Sequence, residues 1–146
     1  MVKVNIDADG CPVVSQTVNI AKKFDFEVVI YCDTSHEISV EGIVTKIISK
    51  GADAVDFALL KDVEKGDIVV TQDYGLAAMA LAKNALVIDQ NGREFTQENI
   101  DQLLFTRHLG QKIRQAGGRT KGPKKRDKDV NKIYEKNFYQ LCERAK

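Results

Sequence analysis

The sequence predicts a three-layer α/β domain: a mainly parallel central sheet, helices on both of its faces, and a helical, basic C-terminal extension. Three observations predict it. Short β-rich runs alternate with helical patterns through residue 88, with short connections between them. The runs "EVVIYC" and "IVVT" are apolar almost throughout, as strands covered on both faces should be. Beyond residue 96 the strand patterns stop, and helical spacing with an excess of Lys and Arg takes over.

Taken in order, the first strand falls at residues 2–6, and a helix at 13–23 follows it with Pro12 suited to the first turn. Asp9 or Gly10 would start that helix as a cap. Strands are expected at 26–32, 43–48, 68–71 and 85–88, with helices at about 52–64 and about 74–83. From Thr96, an N-cap, a long helix is expected: Ile100, Leu103, Leu104, Leu109 and Ile113 recur at helical spacing, and Gly117-Gly118 ends it. The segment "GGRTKGPKKRDKD" is too polar to pack and reads as a loop, 117–128. Val130, Tyr134, Phe138, Leu141 and Ala145 then mark one face of a terminal helix at about 129–145 that packs back on the domain.

At 146 residues the chain fits one domain, 1–146, able to bury about two-thirds of its unfolded surface. No run of about 18 apolar residues crosses a membrane, and the first residues enter a strand rather than a signal peptide, so a soluble cytoplasmic protein with no membrane partner is expected. Cys11, Cys32 and Cys142 are odd in number and far apart, which argues for reduced thiols and against a zinc site.

The net charge of +1 conceals a division: residues 1–106 carry 9 Lys/Arg against 17 Asp/Glu, and residues 107–146 carry 13 against 4. An acidic site beside a basic surface suits a metal ion and a phosphate-rich partner.

In an open parallel sheet, ligands collect beyond the carboxyl ends of the strands. That rule gathers Asp7 and Asp9 from "DADGCPV", Asp53 and Asp56 from "KGADAVDFALL", and Asp73 from "GDIVVTQDYGLAA". Asp67 precedes its strand and belongs to the opposite edge. Each acid alone could be a helix cap, but like charges about 4 Å apart repel by roughly 4 kcal/mol at an effective dielectric constant of about 20, and a divalent cation removes that cost. An all-oxygen set without His or Cys favours Mg²⁺ or Mn²⁺, and a bound water on such an ion can attack a phosphodiester.

Arg107, His108, Lys112 and Arg114 crowd the later part of the long helix, and Arg119, Lys121, Lys124, Lys125 and Arg126 follow in the loop. They form a candidate phosphate or nucleic-acid grip, with glycines that let backbone N–H groups approach. Tyr31, Tyr74, Phe105 and Tyr134 are scattered, so no base-stacking platform is expected and RNA would be read through its backbone.

"DADGCPV", "KGADAVDFALL", "GDIVVTQDYGLAA" and "RHLGQKIRQAGGRTKGPKK" resemble, in order and over nearly the whole chain, the successive signatures of the uncharacterised bacterial YaiI/YqxD family. The alanine expected at the fourth place of the first motif is Gly10 here, a small-for-small change. The resemblance implies a PIN-like domain, whose strand-end acids bind Mg²⁺ or Mn²⁺ and cut RNA. On that pattern Asp7, Asp56 and Asp73 match the catalytic acidic core, with Asp9 and Asp53 beside them as further metal ligands.

Two other functions stay open. Asp-x-Asp-Gly after an apolar strand also resembles the haloacid-dehalogenase phosphatases, with Asp7 as nucleophile and Asp9 as acid/base. A non-catalytic RNA- or nucleotide-binding module would use the basic loop alone.

Overall fold

In the computed structural model, the described residues are 2–34, 37–48, 54–117 and 126–146. The elements run in the order β1 (Lys3–Asp7), α1 (Val14–Lys23), β2 (Glu27–Asp33), β3 (Val44–Ile48), α2 (Ala54–Asp62), β4 (Ile68–Val70), α3 (Tyr74–Ala82), β5 (Leu86–Ile88), β6 (Glu94–Phe95), α4 (Gln97–Gln115) and α5 (Lys128–Ala145). The strands form one sheet in the order β3-β2-β1-β4-β5-β6. All pairings are parallel except β5 with β6, whose two residues fold back through a tight turn. So short a strand carries no alternation, which is why the sequence pattern does not reveal β6.

Two apolar clusters lie on opposite faces of this sheet. Alternate strand residues Val4, Ile6, Ile30, Val70 and Ile88 meet α1 and α5 on one face. Val29, Tyr31, Val69 and Val87 meet α2, α3 and α4 on the other. The period-2 geometry of strands sends successive side chains to opposite faces, so only a sheet covered twice can bury runs that are apolar throughout. The three-layer α/β reading is thereby observed directly.

The terminal helix packs where its stripe indicated. Tyr134, Phe138, Leu141 and Cys142 are buried, and the Tyr134 hydroxyl shares a buried hydrogen bond of 2.7 Å with Thr17 Oγ1 of α1. Gly92, at φ +90, lets the β5–β6 turn approach α5 so closely that Asn137 Nδ2 donates to its carbonyl at 2.9 Å.

Arg126, expected in the phosphate grip, instead ties the start of α5 to the same turn. Its Nη1 donates to Asn91 Oδ1 at 2.7 Å, Nη2 to the Gln90 carbonyl at 2.8 Å, and Nε to Asn131 Oδ1 at 2.8 Å.

The long helix lies where its spacing indicated, at Gln97–Gln115. Thr96 caps it, with Thr96 Oγ1 accepting from Asn99 N at 3.2 Å and Asn99 Oδ1 accepting from Thr96 N at 2.9 Å. Ile100 is buried and Leu103 and Leu104 pack on the α3 side. Leu109 and Ile113, which continue the helical spacing, are exposed, as is Phe105. Helical spacing fixes a shared face but not what covers it.

Asp67 sits at the amino edge, accepting from Lys3 N at 3.2 Å and Glu64 N at 3.0 Å, which separates it from the acids at the other edge.

Candidate functional site

β1 ends at Asp7, and the chain continues alongside β2 because Ala8 N donates to the Tyr31 carbonyl at 2.9 Å. It then turns through Gly10 at φ +67, with Cys11 N donating to the Ala8 carbonyl at 3.1 Å. The cap of α1 is Val13, which makes no side-chain capping bond. Asp9 and Gly10 therefore do not start that helix, contrary to expectation, because three further residues intervene before its first turn. Asp33 closes β2, Asp56 lies in the first turn of α2, and Asp73 follows β4. The α2 helix is fixed to the sheet at its far end, where Tyr31 Oη donates to Asp62 Oδ2 at 2.7 Å and Lys46 Nζ donates to the same atom at 2.6 Å.

These five carboxylates line one cleft of about 480 Å³, together with Arg107 of α4. Val55, Gln72 and Tyr74 complete its wall. Asp73 is also a helix cap: its Oδ1 accepts from Gly75 N at 2.8 Å and Leu76 N at 3.2 Å. Thr71 links the strand ends, accepting from Asp73 N at 3.0 Å and donating from Oγ1 to Asp7 Oδ2 at 2.8 Å. Burial pushes the Asp7 carboxyl up to about 6; the Thr71 hydrogen bond opposes the rise, and the charges of Asp73 and Asp9 add to it.

Among the described residues, no three His, Cys, Asp or Glu side chains stand close enough to enclose an ion. A hard cation of the Mg²⁺ type does not need such a cage, since it keeps several waters and binds through one or two carboxylates. The oxygen-only donors around Asp7, and the energetic cost of ionising that carboxyl, fit such an ion.

Residues 5–144 match the uncharacterized BCR, YaiI/YqxD family. The chain belongs to this family. Its relatives include UPF0178 proteins of Exiguobacterium sibiricum, 56% identical over 139 residues and 95% of each chain, and of Ruminiclostridium cellulolyticum, 50% identical over 135 residues, covering 92% of this chain and 88% of the relative. A third, from Clostridium acetobutylicum, is 44% identical over 146 residues and 99% of each chain. No solved structure matches the chain.

In this YaiI/YqxD-family protein the strand-end rule brings together Asp7, Asp9, Asp56 and Asp73, as expected. Asp53, Arg119, Lys121, Lys124 and Lys125 lie outside the described residues, and for Arg114 only the helical backbone is described. Of the other basic residues, Arg107 reaches the cleft, whereas His108 and Lys112 are exposed on α4 and do not line it. Successive helical residues point about 100° apart, so neighbours of Arg107 on α4 cannot share its direction.

Asp33 was within reach of sequence reasoning, because it directly follows "EVVIYC" and obeys the same rule. The rule also over-predicts. Asp89 follows β5, yet its Oδ1 accepts from Asn91 N at 2.8 Å and Arg93 N at 2.9 Å, so it shapes the β5–β6 turn. Thr71 left no sequence signal, since a strand-end hydroxyl is ordinary until its neighbours are known.

No helix among the described residues is long and apolar enough to cross a membrane. Cys11, Cys32 and Cys142 are all free thiols.

Proposed function

We propose that the protein is a metal-dependent ribonuclease that hydrolyses phosphodiesters in the cleft formed by the strand-end carboxylates. The observation that carries this reading is the meeting of five carboxylates, from four separate parts of the chain, beside Arg107. Acids drawn together at one edge raise the free energy of the fold unless a cation offsets them; at Asp7 burial raises the carboxyl most, and the charges of Asp73 and Asp9 add to that.

Asp7, with Asp73 and Asp9 as its charged neighbours, would hold Mg²⁺ or Mn²⁺, and Asp56 and Asp33 would complete an acidic rim. When bound, the ion lowers the pKa of a ligated water and offsets charge developing on the phosphate. Arg107 supplies the positive group that orients the phosphate, and the Thr71 hydroxyl keeps Asp7 Oδ2 in a fixed direction. The cleft would thus position a strand through its backbone, with Lys121, Lys124 and Lys125 adding attraction for RNA.

The test is incubation of wild-type and Asp7→Asn protein with a mixed RNA pool in Mn²⁺ or EDTA. Cleavage by the wild type in Mn²⁺ alone is the expected result. Salt-sensitive binding with no turnover would replace the nuclease with a binding module, and a phosphoenzyme trapped on Asp7 would replace it with a phosphatase.

A further inference from the structure

A second cleft, of about 330 Å³, opens beside the acidic one. Asp56, Asp73 and Arg107 line both. The rest of its wall is apolar: Phe57, Leu60, Leu76 and Met79. Phe57 is 70% exposed, while Leu59, two residues on, is fully buried and supplies the packing of α2 against the sheet. The domain core therefore makes little use of the Phe57 ring. A lone exposed apolar residue needs no explanation. Phe57 is not alone: Met79, 44% exposed, joins it across the α2–α3 surface, and both lie against the charged residues of the acidic cleft.

A ligand that fills both clefts would be anionic where it meets Arg107 and a cation that the carboxylates would hold, and flat and apolar one step away. A nucleotide has this division, with its phosphate joined through a sugar to a base that stacks on aromatic and thioether surfaces. We infer that Phe57 and Met79 form a seat for one unpaired nucleobase of an RNA strand, beside the phosphate held at the carboxylates. The inference rests on the nuclease reading of the acidic cleft and adds to it a selection for unpaired strands. In a duplex the faces of each base are covered by its neighbours, so a paired base cannot enter. The few and scattered aromatics of the sequence gave no hint of such a platform; the fold supplies it by leaving Phe57 outside the core next to Asp56.

The experiment uses the full chain with an oligoribonucleotide carrying one 2-aminopurine, as a single strand and as a duplex, mixed in Mg²⁺ and read by stopped flow before turnover. The single strand should bind more tightly than the duplex, with its fluorescence quenched by stacking. Phe57→Ala should weaken binding about tenfold and remove the quench, and Phe57→Tyr should retain both. Equal affinity for the duplex, or unaltered affinity and quench in Phe57→Ala, overturns the seat. Calorimetry with Mn²⁺ separates the two readings. Absent metal binding with the Phe57-dependent quench intact removes the nuclease and leaves the seat, whereas normal Mn²⁺ binding with no effect of Phe57→Ala removes the seat alone.

Discussion

Thr71 Oγ1 donates to Asp7 Oδ2 at 2.8 Å while accepting from Asp73 N at 3.0 Å, so one buried hydroxyl joins the ends of β1 and β4 behind two of the cleft's acids. Removing the hydroxyl leaves a half-buried carboxylate and a backbone N–H without this partner. Thr71→Val should therefore lose about 1 to 3 kcal/mol of stability in urea unfolding and move the Asp7 titration further upward, since the bond that opposes its rise is gone. Thr71→Ser should restore both. An Asp7 titration that does not move in Thr71→Val, followed by carboxyl NMR, would show the bond to be incidental.

The Asp7 carboxyl titrates near 6 in the fold against 3.8 ordinarily. Between these values the folded protein binds more protons than the unfolded one, so stability falls as pH rises through this window. The metal-free protein should lose up to about 3 kcal/mol from this group between about pH 4 and 6, and Asp7→Asn should flatten that slope. A cation that requires the ionised carboxylate should release protons on binding near pH 6, with release fading toward pH 8. Calorimetry in buffers of different ionisation enthalpy measures this.

Asp73 carries two separable roles. Asparagine keeps the side-chain oxygen that accepts from Gly75 N and Leu76 N but removes the charge, whereas alanine removes both. Asp73→Asn should hold the stability of the wild type and lose Mn²⁺ affinity. Asp73→Ala should lose that affinity and about 1 kcal/mol of stability as well. Unchanged Mn²⁺ affinity in Asp73→Asn would take this residue out of the proposed metal site.

Gly92 leaves little room for a side chain. A methyl group there would stand 2.9 Å from Asn137 Nδ2 and 3.1 Å from the Tyr134 backbone, at a φ of +90. Gly92→Ala should cost about 2 kcal/mol or more in thermal or urea unfolding by forcing the turn away from α5. Gly10, at φ +67, has only an ordinary 3.8 Å contact with Gln72 Nε2, and Gly10→Ala should cost about 1 kcal/mol, from backbone strain alone. Equal costs at the two positions would mean that crowding against α5 is absent in solution.

The apolar runs, their alternation with helical stripes and the acids after each strand were enough to set out the layered sheet, the order of its main elements and the edge where Asp7, Asp9, Asp56 and Asp73 meet. These features are local: strand burial shows in consecutive residues, and the side of the sheet on which a strand ends follows from parallel pairing. What needed the tertiary structure is whatever depends on which surfaces come together. Leu109 and Ile113 share the helical spacing of Ile100, yet they are exposed where Ile100 is buried. Asp89 obeys the same strand-end rule as Asp73, yet it is consumed by the turn behind it. The Thr71 bridge, the reach of Arg107 over the acids and the meeting of Phe57 with Met79 each join residues far apart in sequence, and only packing decides such distances.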